Sequence, residues 1–278
     1  MKNTTFTEKL QNRWSQIGMV CVGLDPVVSG IPEVLKKENP SVEELLFVFN
    51  SEIIDATADL VCAYKPNIAF YEAEGEAGMR ALKRTISYIK EHYDGIPVIL
   101  DAKRADIGST SEAYARAVFD ELGADAVTVN PYLGHDALEP FLERKDKGIF
   151  VLAKTSNPGA GDFQNSVLDG GEHLWEKVVR TTVTWNTHGN CGLVGSGLSP
   201  ETLATMRTLA PDMPILVPGI GAQGGDVEKA VLAGRDQNGK GLIINSSRGI
   251  IFASSGADFA QASRKATESL LADIKAVQ

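Results

Sequence analysis

The chain has 278 residues, 43% of them apolar, and a formal net charge of −9. That length suits one large α/β unit, and the apolar fraction is enough for a sizeable core. The acidic balance disfavours non-specific binding to nucleic acid or to an anionic membrane, although one local arginine can still hold a phosphate. Three cysteines (Cys21, Cys62, Cys191) are far apart and form no CxxC pair or metal-ligand spacing with histidine. This pattern predicts a reduced, cytoplasmic compartment and no metal site. The opening residues lack the apolar stretch of a signal peptide, and no apolar run approaches the ~18 residues needed to span a membrane.

In chain order, Phe6, Leu10 and Trp14 form one stripe of a predicted N-terminal helix. Short apolar runs follow at 18–24, 60–64, 97–100, 125–129, 148–153, 192–195, 214–217 and 241–244. Each is β-rich and flanked by Gly, Pro or polar residues, as expected of parallel strands buried on both faces. The intervening segments have helix signals. Ser41 and Glu44 have the spacing of a capping box ahead of Leu45 and Leu46. Residues 111–122 end at Gly123, in the position of a C-terminal cap. Ser199 and Pro200 read as an N-cap followed by proline at the first helical position. Residues 258–276 carry apolar positions at helical spacing. Eight strands alternating with helices predict a single (β/α)₈ barrel over 1–278, with the N-terminal helix as an addition plugging its bottom or flank. An open doubly wound sheet is the alternative, but Gly23, Asp25 and Pro26 do not form the Gly-rich fingerprint that sheet would need after its first strand.

In a barrel, functional residues gather at the C-terminal strand ends. Those positions hold Asp25, Lys65, the Asp101, Lys103 and Asp106 segment, Asn130, Lys154 to Ser156, a Gly-rich loop from Pro218, and Asn245 to Gly249. Asp101 and Lys103 are two apart, so on an extended strand both face one way. Carboxylates flanking one ammonium would keep a buried lysine protonated and aimed, ready to deliver a proton to carbon. Gly219, Gly221, Gly224 and Gly225 allow backbone N–H groups to approach an anion, the helix starting near Gly225 adds its positive end, and Arg248 supplies a forked donor. Two such adjacent loops predict a phosphate site. The four histidines and Cys62 read as ordinary surface and core residues. Against these readings stand a surface salt-bridge patch at 101–106 and simple tight turns at the glycines.

Together these residues resemble the orotidine 5′-phosphate decarboxylase family, over essentially the whole chain. The family's DxKxxDI signature is matched by Asp101, Lys103, Asp106 and Ile107, and the surrounding wording is similar to the longer, bacterial-type second subfamily. The resemblance implies metal- and cofactor-free decarboxylation of orotidine 5′-phosphate to UMP in pyrimidine biosynthesis. It implies a charged array of Lys65, Asp101, Lys103 and Asp106, with Lys103 stabilising and protonating the C6 carbanion. It further implies a homodimer in which Asp106, Ile107 and Thr110 reach the partner's site. Asp25 would hold a ribose hydroxyl, Ser156 the pyrimidine, and Gln223 and Arg248 the phosphate. The segments 26–41 and 157–190 depart from the family pattern. A Mg²⁺-dependent sugar-phosphate barrel shares DxKxxD but has a carboxylate where this chain has Lys65. A non-catalytic phosphometabolite-binding protein would not need Lys103 among aspartates.

Overall fold

Runs rich in Val, Ile and Leu with no polar alternation fold as strands covered on both faces. The structure, a computed structural model, describes residues 4–197, 199–219 and 226–277. Among them one parallel sheet contains β1 (Val20–Leu24), β2 (Ala63–Pro66), β3 (Ile99–Arg104), β4 (Ala126–Val129), β5 (Gly148–Leu152), β6 (Cys191–Val194), β7 (Ile215–Pro218) and β8 (Leu242–Ser246). The neighbour order is β2-β1-β8-β7-β6-β5-β4-β3. Its two ends meet: Tyr64 N donates to Pro97 O at 3.1 Å and Ile68 N to Asp101 O at 3.2 Å. The sheet therefore closes into the predicted (β/α)₈ barrel, with helices outside, rather than lying open.

The N-terminal helix Phe6–Gln16 buries Phe6, Leu10 and Trp14, the stripe read from the sequence. Phe6 N donates to Asp146 O at 2.9 Å, and Lys9 Nζ reaches Asp125 Oδ1 at 3.0 Å. The Phe6 ring meets Phe150 edge-on at 5.6 Å. Arg13 Nε donates to Val61 O at 2.9 Å. These partners precede or begin β2, β4 and β5, so the helix plugs the bottom of the barrel, opposite the C-terminal strand ends.

Several sequence readings need adjustment. Ser41 does cap the helix Val42–Thr57, accepting from Glu44 N at 3.2 Å, but the Glu44 carboxylate is drawn away by Arg84 at 2.7 Å. Only half of a capping box forms there, while Thr5 and Glu8 form a complete one. The helix after β3 begins at Gly108 and ends at Arg116, followed by a wide turn, Ala117–Glu121, before Gly123 at φ +78°. Three strands run past their apolar stretches, so that Lys65, Asp101, Lys103 and Asn245 lie within β2, β3 and β8 instead of after them. Polar residues continue these strands because their side chains find partners at the barrel mouth.

Candidate active site

β2 and β3 meet where the barrel closes, and they bring two charged residues together. Lys65, only 3% exposed, places Nζ 3.2 Å from Asp101 Oδ2. Lys103 Nζ lies 2.7 Å from the other oxygen, Oδ1. Thr128 on β4 donates to Oδ1 at 2.9 Å, and Asn67 Nδ2 donates to Oδ2 at 3.4 Å. Asp25, at the end of β1, is buried and accepts the backbone N–H of Asn67 at 3.0 Å. Burial alone would raise the Asp101 carboxyl, but the Lys65 and Lys103 ammonium groups and the Thr128 hydroxyl hold it well below the usual carboxylate range. Burial alone would lower Lys65, but Asp25 and Asp101 outweigh it and hold the ammonium above the ordinary lysine value. The charges of Asp101 and Lys65 are thus fixed across the physiological range.

Lys103 differs from its sequence reading in two respects. Its side chain is 48% exposed, not buried. Its backbone sits at φ +47°, and β3 slips in register against β4 between Leu100 and Arg104. Same-face alternation on a regular strand is therefore not what joins Asp101 to Lys103; a bulged strand does so. Asp106 does not flank Lys103 within the chain. Its Oδ1 accepts Ile107 N at 2.8 Å, and Ile107 and Thr110 are exposed at the mouth.

Two cavities adjoin the charged cluster. One of about 240 Å³ is lined by Lys65, Asp101 and Lys103 on one side, Ser156 on another, and Leu152, Val194 and Leu216 beneath. The second, about 360 Å³, shares Lys65, Asp101 and Ser156 and extends past Asp25 and Gly219 to Arg248. Charged residues thus mark one end of a continuous trough and Arg248 the other. Arg248 is exposed at the start of the short helix Arg248–Ile251, and among the described residues its guanidinium meets no acceptor. Gly219 stands at φ +84°, a conformation that favours glycine. Gly221, Gln223, Gly224 and Gly225 lie outside the described residues. The helix assigned near Gly225 begins at Val227, and Asp226 caps it by accepting from Lys229 N at 3.1 Å.

The histidines and Cys62 take the surface and core places read for them. His92 stacks on Tyr88, His135 meets Trp185 edge-on, His173 caps the helix Leu174–Trp185, and His188 contacts Glu143. Burial pushes the Cys62 thiol up to about 12, as befits a core residue. Among the described residues no group of three or more His, Cys, Asp or Glu side chains is placed to hold a metal, and no helix is long and apolar enough to cross a membrane. Thr128 and Asn67 escaped the sequence reading. Thr128 lies inside an apolar run, where a β-branched residue reads as a strand former. Asn67 follows a strand end, and only its position beside the Lys65 segment could have drawn notice.

Residues 18–275 match the family described as orotidine 5′-phosphate decarboxylase / HUMPS. An orotidine 5′-phosphate decarboxylase of Herpetosiphon aurantiacus is 51% identical over 253 residues, 91% of each chain. One from Cellvibrio japonicus is 51% identical over 268 residues, 96% of each chain. Among solved structures, Leishmania donovani OMP decarboxylase superposes with a TM-score of 0.83 at 36% identity, covering 98% of this chain and 99% of that one.

Proposed function

We infer the reaction from a premise that these matches establish: the chain belongs to the orotidine 5′-phosphate decarboxylase / HUMPS family. It is a carboxy-lyase that converts orotidine 5′-phosphate to UMP and CO₂, a step of pyrimidine nucleotide synthesis. The observation that carries this reading at the level of residues is the Lys65–Asp101–Lys103 relay, at 3.2 and 2.7 Å, set at one end of a trough whose other end is Arg248.

The proposed chemistry follows from that layout. The C6–carboxylate bond breaks, CO₂ leaves, and the electron pair stays on C6. The Lys103 ammonium faces this developing charge and then transfers a proton to C6, and solvent reprotonates the amine. Donors fixed in advance toward a developing charge are usually the largest catalytic contribution. Asp101, held ionised by two lysines, keeps Lys103 aimed and lies near the departing carboxylate. Lys65 balances Asp101 from the buried side. Asp25 would take a ribose hydroxyl, Ser156 the pyrimidine edge, and Arg248 the phosphate together with Gly219 and Gln223. Phosphate binding far from C6 then contributes to the rate by fixing orientation.

A homodimer completes the site in this reading. Asp106 has no lysine partner among the described residues of its own chain, and Ile107, Tyr132 and Leu133 expose apolar surface around the β3 and β4 ends of the mouth. In a two-fold pair, Asp106, Ile107 and Thr110 of each subunit would serve the other's site. Three free, buried cysteines support a cytoplasmic setting.

The test is loss of orotidine 5′-phosphate absorbance on incubation with the protein and EDTA. Turnover should persist with chelator present. An enzyme silenced by EDTA and restored by Mg²⁺ would instead belong with the sugar-phosphate branch. Binding of UMP without any turnover would indicate a phosphometabolite-binding protein.

A further inference from the structure

Where β3 slips against β4, the amides of Ala102 and Lys103 lose their ladder acceptors. Both turn to one atom. Ala102 N and Lys103 N each donate to Thr128 Oγ1 at 3.0 Å. The hydroxyl's own proton goes to Asp101 Oδ1 at 2.9 Å. A threonine hydroxyl has one donor and two acceptor lone pairs, so Thr128 is saturated. All three partners belong to the three consecutive residues that carry the charged relay. Thr128 itself is 1% exposed, so water does not readily replace it.

We infer that Thr128 is the positioning residue that aims Lys103. Its two accepted bonds hold Lys103 at φ +47°, a backbone state that non-glycine residues rarely adopt and keep only when surrounding contacts enforce it. Its donated bond turns toward Lys103 the Asp101 oxygen that accepts Nζ at 2.7 Å. One hydroxyl therefore sets both ends of the lysine, the backbone from which the stem departs and the carboxylate at its tip. This matters because the stem is half exposed and flexible, and packing alone does not fix it. Without the hydroxyl, the buried amide of Ala102 and the part-buried amide of Lys103 have no acceptor. The bulge then relaxes toward a regular ladder, Lys103 returns to negative φ, and Nζ is re-aimed. Misplacement of about 1 Å at a reacting group is enough to slow a reaction by about 100-fold.

The inference rests on Lys103 as the proton donor, so Lys103→Ala is run beside the Thr128 variants. Thr128→Val keeps shape and removes the hydroxyl; kcat for orotidine 5′-phosphate should fall about 30-fold while UMP inhibition stays within about 3-fold, as expected when a hydrogen-bond anchor of a charged group is lost. Thr128→Ser keeps the hydroxyl and should retain kcat within about 3-fold of wild type. Should Thr128→Val not fold, Thr128→Ala replaces it against Thr128→Ser, since both lose the methyl and only one keeps the hydroxyl. Equal kcat in the hydroxyl-free and hydroxyl-bearing variants, or a fall in melting temperature with kcat unchanged, overturns the inference. A fully active Lys103→Ala protein overturns the underlying assignment instead, so the two failures are distinct.

Discussion

Two lysine–aspartate pairs of nearly equal length sit at opposite ends of the barrel. At the bottom, Lys9 meets Asp125 at 3.0 Å with side chains 12% and 8% exposed. At the top, Lys65 meets Asp101 at 3.2 Å with side chains 3% and 13% exposed. Their surroundings differ. The second oxygen of Asp125 accepts Val98 N at 2.9 Å, so each oxygen has one partner, and the N-terminal helix covers the pair. Asp101 is bonded by Lys65, Asn67, Lys103 and Thr128, and it faces an open trough. The pair itself therefore says little about role. A covered pair with its bonds matched fastens an element to the barrel. A pair with a second lysine beside a cavity has a cation left to act on something else. Buried pairs are weak evidence of stability in general, because desolvation offsets their attraction. What separates the two ends is access and the extra charge.

The strongest way to break this contrast is at Lys103. Lys103→Ala should lower kcat on the order of 10³-fold, the scale of a lost proton donor and electrostatic contact. Asp106→Asn should be comparably inactive. If Asp106 acts across a two-fold interface, mixing the two inactive proteins under subunit exchange gives mixed dimers with one intact site. Activity should then return to about a quarter of wild type per total site, by random pairing in a two-fold dimer. No recovery, with exchange demonstrated by a tag, would place Asp106 in its own subunit's site or remove the dimer.

A smaller effect is expected at the far end of the trough. Arg248→Ala should weaken both UMP affinity and substrate KM by about 30-fold or more, as for truncation of one partner of a hydrogen-bonded charge pair. Because Arg248 is exposed and unengaged among the described residues, melting temperature should barely move. Unchanged UMP inhibition would remove the phosphate from that end.

The bottom pair sharpens the comparison by leaving catalysis alone. Lys9→Ala removes one side of a covered pair and should lower the melting temperature by roughly 5–10 °C, from a cost near 3 kcal/mol. Its kcat should remain within about 2-fold of wild type, since fastening the plug does not touch the mouth. A large kcat loss in a folded Lys9→Ala protein would show that the two ends are coupled.

The sequence by itself determined the barrel, because strands buried on both faces must be continuously apolar and such runs stand out between helical segments. It also determined which charged residues reach the mouth, because in this architecture strand ends are the mouth. Arg248, Asp25 and Lys65 were found by that rule alone. Tertiary structure decided the rest. Closure of β2 on β3 paired Lys65 with Asp101, a contact between residues 36 apart that no local pattern encodes. The slip of β3 against β4 set the direction of Lys103, although strand alternation had brought it to the correct neighbour by the wrong geometry. Thr128 could not be singled out in Asp125–Val129, because inside an apolar run a hydroxyl and a methyl favour the strand alike. Only the adjacent bulge, which leaves two amides seeking an acceptor, gives that hydroxyl its task. Local propensity records what a residue prefers along its own strand, whereas the partners of a polar atom depend on which strands lie beside it, and the closed sheet decides that.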